Sequence, residues 1–458
     1  MKKLFILFIL IYSISFSQSV IKTKLDSLTS TSFFDTTIIA LDVYDLTADK
    51  VLYQKNNKLL LRPASNMKIL TTVTGLYFLG KDYTFKTSLY YSGNIKNGTL
   101  NGNLYVKGGF DPDFTYDDLD SLILILKNNG IKKIKGNIYG DISAKDSLFW
   151  GHGWMWDDDP STDAPYLSAL NINDNAIEVT QEKNKVPQLT PKTSFVKVER
   201  AAIKDINYLD RKWLPRENTI LYNGVILGNK PLETKLNVFT PEKYFLHLFC
   251  EKLVENKMYN KVKYNFSSSD YMKEIGKFER RYDTVIVNLN KTSDNLSAEM
   301  TLLALASLKT DKSASAKDGV IFIDSLIYLA GLNPENYSIV DGSGVSHYNL
   351  ISSELLLGVL KFMYKNRPDL FNTLYNSFPI GGVDGTLRNR LKDSLVYNNV
   401  HAKTGTLSGV SSLSGYLTTL DNHIISFSIM MQNYTGTSQK VRNYQDEICK
   451  QLVEYGTK

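Results

Sequence analysis

Cysteine is almost absent from this chain: Cys250 and Cys449 are the only two among 458 residues. Two cysteines are too few for a disulfide-stapled scaffold or a cysteine-rich zinc site. Both lie in segments with helical periodicity and could pair in an oxidising compartment, but the sequence alone does not establish a bond. Two buried thiols are the simpler expectation.

Signatures of metal and nucleic-acid binding are lacking as well. The five histidines are scattered and form no His-Glu-x-x-His or Cys/His cluster, so we expect no metal and no cofactor. The net charge of +6 at pH 7 is mild, and no dense basic run is interleaved with aromatic residues. Nucleic acid is therefore not an expected partner. With 43% hydrophobic and 22% charged residues, the chain is globular, and its length predicts two or three domains.

Long apolar runs are missing after the N-terminus. Two lysines at the start precede an apolar run from Leu4 to about Ile14, and small residues follow up to Ser17. The run is too short to span a bilayer and has the layout of a secretory signal. We therefore expect residues 1–17 to be a signal peptide that directs a periplasmic protein without an integral membrane segment.

Strand patterns at both ends of the chain suggest one domain whose sheet uses both termini. Two strand-like runs surround a polar turn at Thr47–Asp49, and 399–431 contains three more strands before an amphipathic C-terminal helix. The middle of the chain consists of short strands separated by Asn-Gly and Gly-Gly turns. We expect a discontinuous domain formed by 18–84 and 236–458, with a β-rich insertion of one or two domains at 85–235.

A serine and a lysine three residues apart introduce the candidate chemistry. Ser65 and Lys68 lie in the stretch LRPASNMKILTT, at the start of a predicted helix, where positions i and i+3 share a face. A serine hydroxyl needs a base to accept its proton. An amine is such a base only when burial or a nearby positive charge lowers its pKa. Alone, the pattern indicates little, because a capping serine and a solvated lysine also produce it.

Two further triplets lie in suitable contexts downstream. The triplet SDN at 293–295 falls in a polar turn before a helix, and KTG at 403–405 falls in a strand. Each has an ordinary interpretation, as a helix cap or as the end of an edge strand. Together, in the order SxxK, SxN and KTG, they are the signature of the penicilloyl-serine transferases.

Acyl transfer assigns a role to each position. Ser65 is the expected nucleophile, Lys68 its base, and Ser293 the relay that passes a proton to the leaving amine. We expect Lys403 to lower the pKa of Lys68 and to attract a carboxylate. The backbone N–H groups of Ser65 and Thr406 would form an oxyanion hole. The expected substrate-binding residues are Asn295, Lys403, Thr404, Gly405 and Thr406.

The chain resembles the serine D-Ala-D-Ala carboxypeptidases of the penicillin-binding protein 4 type, peptidase family S13, over nearly all its mature length. Besides the triplets, the matching stretches are RPASNMKILTT, GNLYVKGGFDP, IKGNIYGD, LSALNINDN, VDGSGVSHYNL, PIGGVDGTLRNR and AKTGTLSGVSSLSGYL. The long interval between Lys68 and Ser293 leaves room for the large insertion typical of this group. One departure is visible, since Val345 and His347 stand where the family more often has Leu and Arg.

This resemblance implies both a fold and an activity. The fold is a penicillin-binding/β-lactamase-like transpeptidase fold of the α/β (α+β) class, with an antiparallel sheet flanked by helices and an inserted β-rich part. The activity is removal of the terminal D-alanine from peptidoglycan stem peptides through a Ser65 acyl-enzyme, often with cleavage of cross-links. The implied partners are peptides ending in D-Ala-D-Ala, with β-lactams as covalent inhibitors.

Two alternative functions stay open at this point. A β-lactamase of the same fold would need an efficient deacylating base, and no Glu-x-x-x-Asn signature is clearly placed for it. A catalytically silent cell-wall-binding protein would have no reason to keep all the signature residues. Four residues that could be mistaken for catalytic ones are interpreted as structural. They are Asp341, Ser343 and Asp384, which lie in glycine-rich turns, and His401, a neighbour in the KTG strand.

Overall fold

The computed structural model describes residues 20–203, 205–309 and 313–456. The predicted signal peptide, 1–17, lies outside the described residues. The chain divides into two compact units, of which the first contains the residues up to Lys81, Ile286–Asp294 and the residues from Val320 onward. The second contains Asp82–Val285 and Asn295–Gly319.

Helices and strands both occur along the described chain, with the longest runs of consecutive strands at 84–107 and 176–237. The helices are α1 (20–28), α2 (Met67–Phe78), α3 (Asp118–Asn128), α4 (Pro241–Glu255), α5 (Tyr282–Lys291), α6 (Asn295–Ala306), α7 (Ala316–Leu329), α8 (Ser353–Asn366), α9 (Pro368–Ser377) and α10 (Gln439–Val453). The strands are β1 (Ile38–Asp45), β2 (Lys50–Lys55), β3 (Thr84–Tyr91), β4 (Asn94–Lys96), β5 (Thr99–Asn101), β6 (Leu104–Lys107), β7 (Lys133–Ile134), β8 (Ile138–Asp141), β9 (Ala176–Gln181), β10 (Gln188–Thr190), β11 (Lys197–Arg200), β12 (Leu209–Arg211), β13 (Thr219–Tyr222), β14 (Leu232–Asn237), β15 (Tyr264–Phe266), β16 (Lys273–Arg281), β17 (His401–Leu407), β18 (Val410–Thr418) and β19 (Ile424–Gln432).

The first unit is built on one antiparallel sheet of five strands in the order β17-β18-β19-β1-β2. The predicted N-terminal hairpin forms β1 and β2, and the three predicted C-terminal strands form β17 to β19. The two ends of the chain meet where β1 pairs with β19, with Ile38 opposite Gln432 and Asp45 opposite Ile425. The expectation of a sheet that uses both termini is confirmed, as is the antiparallel sheet flanked by helices.

Helices cover both faces of this sheet, as the burial of its central strands requires. Every residue of β18 except Thr418 is buried, so both faces need an apolar cover. Leu25 of α1 and Ile448 of α10 join the apolar cluster on one face, together with Val43 and Phe427 from the strands. Helix α8, which contributes no residue to that cluster, packs against β1 and β19, and α2 in turn packs against α8.

Helix α2 is buried on all sides, which determines the environment of Lys68. Every residue from Met67 to Leu76 is buried, the polar ones included. The polar side chains inside this range therefore need partners. Thr71 Oγ1 donates to the carbonyl of Gly342 at 2.6 Å, and Thr74 Oγ1 donates to that of Leu70 at 2.7 Å.

The second unit contains a five-stranded sheet, β15-β8-β6-β3-β16, and three smaller sheets. Its core combines the apolar faces of α3 and α4 with strand residues such as Leu104 and Ile138. The predicted insertion ended at 235, whereas this unit continues to Val285. The cause is tertiary, because α4 buries Phe245 and Phe249 in this core and β16 pairs with β3.

Three further structural facts bear on the sequence expectations. Cys250 in α4 and Cys449 in α10 are free thiols, both buried. Within the described ranges, no group of three or more His, Cys, Asp or Glu residues could hold a metal ion. No helix in those ranges combines the length and the apolar character needed to cross a membrane.

Candidate active site

Ser65 and Lys68 face each other at the start of α2. Ser65 is the middle residue of a 3-10 turn, Ala64–Asn66, that runs directly into the helix. Lys68 Nζ donates a hydrogen bond to Ser65 Oγ at 3.1 Å, and Lys68 has no exposed surface. A desolvated amine within hydrogen-bond reach of a serine hydroxyl is the geometry that a general base needs.

The backbone is left-handed at two positions that flank this chemistry. Ala64 has φ +48°, one residue before Ser65, and Ser293 itself has φ +66°. Residues with a side chain rarely adopt such angles, and the surrounding structure has to impose them. At both positions the strained residue is where a helix is about to begin, so each serine is presented at a helix start.

The glycine-rich turn at 341–344 is organised by the carboxylate of Asp341. The carboxylate of Asp341 accepts hydrogen bonds from the backbone N–H groups of Gly344 at 2.9 Å and Ser346 at 2.7 Å, and from Asn349 Nδ2 at 2.7 Å. These bonds support the structural interpretation of Asp341, because the carboxylate organises its own turn. It is 1% exposed and faces no solvent that could compete for these donors.

The same turn is fitted tightly against the serine turn. Gly344 has φ +84°, and a Cβ there would collide with the carbonyl oxygen of Ala64, so only glycine fits. The carbonyl of Ser343 is thereby fixed in place, and it accepts a hydrogen bond from Lys68 Nζ at 2.8 Å. Sequence reasoning missed this contact, since a main-chain acceptor leaves no mark except the glycines around it.

Lys403 and Ser293 form the second pair of the site. Lys403 Nζ donates to Ser293 Oγ at 2.8 Å and to the carbonyl of Thr404 at 2.9 Å. Lys403 lies on β17, opposite Ser414 of β18, and has no exposed surface. Residues from the SxN and KTG triplets, 110 positions apart in the chain, are therefore in direct contact.

Close approach at Gly405 joins the KTG strand to the serine turn. A Cβ at this position would lie 3.0 Å from the backbone nitrogen of Ser65 and 2.8 Å from the carbonyl oxygen of Pro63, and would collide with Ser412 Oγ. Ser412 Oγ itself donates to Pro63 O at 2.6 Å, which ties β18 to the same turn. The absence of a side chain at Gly405 thus lets the strand lie directly against Ser65.

The outer edge of β17 presents backbone donors. The N–H of Ala402 donates to the carbonyl of Pro379 at 3.1 Å, on the side away from β18. Alternate residues of a strand point their N–H groups to the same side, so those of Thr404 and Thr406 also face away from β18. An extended peptide beside this edge could accept hydrogen bonds from them.

The two buried amines influence each other. Burial and, second, the charge of Lys68 hold the pKa of Lys403 well below its ordinary value. This lowered pKa is that of Lys403; the lowered pKa expected for Lys68, with Lys403 as its charged neighbour, stays a prediction. Because each positive charge raises the cost of the other, the pair favours carrying one charge over two.

Three remaining predicted positions have different surroundings. The hydroxyl of Thr404 lies 2.7 Å from that of Thr386, a residue that sequence reasoning missed although it lies in the matching stretch PIGGVDGTLRNR. Thr406 is exposed. Asn295 is the first residue of α6 and belongs to the second unit, where its Nδ2 donates to the carbonyl of Asp163 at 2.5 Å.

His401 is packed as a strand neighbour. Its ring stacks on Tyr375 with the centroids 3.8 Å apart, and its Nδ1 lies 3.2 Å from the carbonyl oxygen of Tyr375. Burial lowers the pKa of His401, which favours the neutral ring. These contacts account for the residue without a catalytic role.

Comparison with known proteins places nearly the whole chain in one family. The model of the D-Ala-D-Ala carboxypeptidase 3 (S13) family matches residues 21–454. The chain is 28% identical over 406 residues to the D-alanyl-D-alanine carboxypeptidase DacB of Haemophilus influenzae, covering 85% of this chain and 84% of the relative. It is 26% identical over 442 residues to the D-alanyl-D-alanine carboxypeptidase of Actinomadura sp. strain R39, covering 90% and 80%.

Solved structures agree with this assignment. The crystal structure of penicillin-binding protein 4 (DacB) from Haemophilus influenzae superposes with a TM-score of 0.84 at 25% identity, covering 94% of this chain and 99% of the other. A complex of the same protein with a β-lactam covers the same shares with a TM-score of 0.76 at 24% identity. The resemblance inferred from the sequence is confirmed: the chain belongs to the D-Ala-D-Ala carboxypeptidase 3 (S13) family.

Proposed function

We propose that the protein is a serine-type D-Ala-D-Ala carboxypeptidase that acts on peptidoglycan stem peptides through an acyl-enzyme on Ser65. The observation that carries the proposal is the 3.1 Å hydrogen bond from the buried amine of Lys68 to Ser65 Oγ. Ser65 and Lys68 belong to the same unit of the structure as the hydrogen-bonded pair Lys403 and Ser293. Family membership and the two related carboxypeptidases support the choice of reaction.

Acylation follows from the position of the two serines. Ser65 Oγ attacks the carbonyl carbon of the penultimate D-alanine, and its proton passes to the neutral amine of Lys68. The N–H groups of Ser65 and Thr406 stabilise the oxyanion that develops. The C–N bond then breaks as the nitrogen of D-alanine receives, through Ser293, the proton that Lys68 took from Ser65, and D-alanine leaves while Lys68 returns to its neutral form. Water hydrolyses the ester and restores the Ser65 hydroxyl.

The substrate carboxylate completes the charge balance of the site. We assign its binding to Lys403 and Thr404, next to the outer edge of β17. A carboxylate there favours the ammonium form of Lys403, whose pKa is otherwise held low by burial and by Lys68. The charge that Lys403 gains in turn favours the neutral form of Lys68, which is the form that can accept the Ser65 proton. The role of Asn295 in holding the substrate backbone rests on the sequence triplet.

A fluorescent penicillin tests the nucleophile directly. Wild-type protein is expected to become covalently labelled, and the Ser65→Ala variant is expected to stay unlabelled because no hydroxyl is left to acylate. Ser408→Ala is a matched control, since Ser408 is exposed in the same hairpin as the KTG strand and should label like wild type. Labelling of Ser65→Ala at the wild-type level would refute the assignment.

Product analysis separates this proposal from its rivals. Incubation with a pentapeptide that ends in D-Ala-D-Ala should release one equivalent of D-alanine. Rapid turnover of nitrocefin without D-alanine release would favour a β-lactamase, and the absence of both reactions would favour a silent wall-binding protein. We also propose that β-lactams react at Ser65 and that the protein works in the periplasm, as its N-terminal sequence suggests.

A further inference from the structure

A short segment beside the KTG strand contacts both that strand and the end of α5, which lies just before Ser293. Residues 379–387 lie along the start of β17, where Ile380 forms a bridge with His401 and the N–H of Gly381 donates to the carbonyl of Val400 at 2.9 Å. The segment then turns away in a 3-10 turn, Gly385–Leu387. The segment therefore covers the outer edge of β17 up to Thr404, the proposed substrate-binding threonine.

The end of α5 fixes this turn in place. Asp384 Oδ2 accepts a hydrogen bond from Lys291 Nζ at 2.7 Å, and Asp384 Oδ1 accepts one from the N–H of Ile380 at 2.9 Å. Gly385 has φ +54°, and a Cβ there would lie 2.6 Å from the carbonyl oxygen of Lys291. Lys291 is two residues before Ser293, so the turn is anchored to the segment that carries the SxN serine.

Thr386 projects from this anchored turn to the KTG strand. Its hydroxyl oxygen lies 2.7 Å from that of Thr404, a distance typical of an O–H···O hydrogen bond. Either oxygen could be the donor in the protein alone. A threonine hydroxyl has only one hydrogen to donate, however, and can accept two. If Thr404 gives its hydrogen to a carboxylate, the bond between the threonines has to be donated by Thr386.

We propose that Thr386 is a positioning residue for recognition of the substrate carboxylate, donating its hydrogen bond to Thr404 so that the Thr404 hydrogen points to the substrate. Asp384 and Gly385 hold the turn that presents Thr386. The inference rests on the proposed function and deepens it, because it names a residue outside the three signature triplets that determines how tightly a C-terminal carboxylate is held. Its effect should fall on substrate binding more than on the chemical step.

Kinetics on a peptide ending in D-Ala-D-Ala test the inference. Thr386→Val removes the hydroxyl at nearly constant volume and should raise KM about tenfold with kcat changed less than threefold, by loss of one aligned donor. Thr386→Ser keeps the hydroxyl and should restore a KM within about twofold of wild type. Thr435→Val, at an exposed threonine of the same unit, serves as control and should leave both constants unchanged.

Each contrary outcome has a separate meaning. An unchanged KM in Thr386→Val would overturn the inference, and so would a Thr386→Ser variant as impaired as Thr386→Val, because the hydroxyl would then not be the active feature. Equal losses in kcat for both variants would assign Thr386 a packing role and overturn it as well. A wild-type protein that releases no D-alanine would instead overturn the proposed function, and this inference with it.

Discussion

Alanine at Gly405 should separate the stability of the protein from its ability to acylate. Gly405 is the point at which β17 lies directly against the Ser65 turn, and its backbone is not in the left-handed region. The substitution therefore adds one methyl group without backbone strain. Whatever it changes must arise from the distance between the strand and the turn.

The size of the effect follows from the contacts. The new Cβ would lie 2.8 Å from Pro63 O and 3.0 Å from Ser65 N, whereas ordinary contacts begin at 3.4 Å. The strand must therefore retreat by roughly half an ångström, and further where the methyl collides with Ser412 Oγ. A misplacement of about 1 Å can cost about 100-fold in rate, so we expect acylation to slow by about 10- to 100-fold. Overpacking of this kind costs about 1–3 kcal/mol in the free energy of unfolding.

Gly409→Ala is the matched control in the same hairpin. Gly409 has φ +67°, and the nearest atom to a Cβ there is Tyr434 O at 3.5 Å, so the variant has backbone strain but room for the methyl group. Left-handed backbone costs a residue with a side chain about 1–2 kcal/mol, which is similar to the loss expected for Gly405→Ala. Only Gly405→Ala should also lose acylation.

Two measurements decide the matter. Urea unfolding gives the stability of each variant, and the second-order rate of labelling by a fluorescent penicillin gives acylation. If folded Gly405→Ala is labelled at the wild-type rate, the close fit of β17 against the Ser65 turn does not matter for the reaction. If Gly409→Ala slows as much as Gly405→Ala, lost stability and not geometry explains both.

Three further predictions follow from buried titratable groups. Burial raises the pKa of Asp42 to about 6, so the native state binds this proton more tightly than the unfolded chain does, and the free energy of unfolding falls as the pH rises from about 4 to 6. In urea unfolding, Asp42→Asn should therefore gain up to about 3 kcal/mol in the free energy of unfolding at pH 7 and little at pH 4. The pKa of Lys403 is lowered, so its proton binds more tightly in the unfolded chain and the free energy of unfolding rises with pH, by at most about 1.4 kcal/mol per pH unit. Lys403→Met should flatten that rise in urea unfolding and should abolish D-alanine release. Burial raises the pKa of Cys250 to about 12 and also raises that of Cys449, so neither thiol should react with Ellman's reagent at pH 8 until the protein is unfolded.

Local patterns predicted the elements that carry the site. The N-terminal hairpin, the buried helix after Ser65 and the three strands around Lys403 all appear where their periodicity placed them. Each is a short segment whose alternation or helical stripe matches its own burial. The joining of the two ends into one sheet followed from the same patterns, because an N-terminal hairpin needs neighbouring strands to bury its face.

The rest depended on contacts between distant segments, which have no local signature. The second unit extends to Val285 because β16 returns to pair with β3, and the residues of β16 are exposed or half-buried, with none fully buried. The carbonyl of Ser343 and the hydroxyl of Thr386 reach the site from glycine-rich turns whose composition indicates a turn and nothing about its neighbours. Their residue types are common, so only the fold gives them significance.

The burial of α2 explains why the site takes this form. A lysine on the surface of a helix would keep its proton at neutral pH and could not accept one from Ser65. Lys68 lies on a helix that is buried on all sides, and the Lys403 side chain on β17 has no exposed surface, so two amines are held where a second charge is costly. Such an arrangement reduces stability, which a surface lysine would not do. In the proposed mechanism the same cost makes one of the amines available as a base, and the reactivity expected of Ser65 then depends on an interior that the protein would be more stable without.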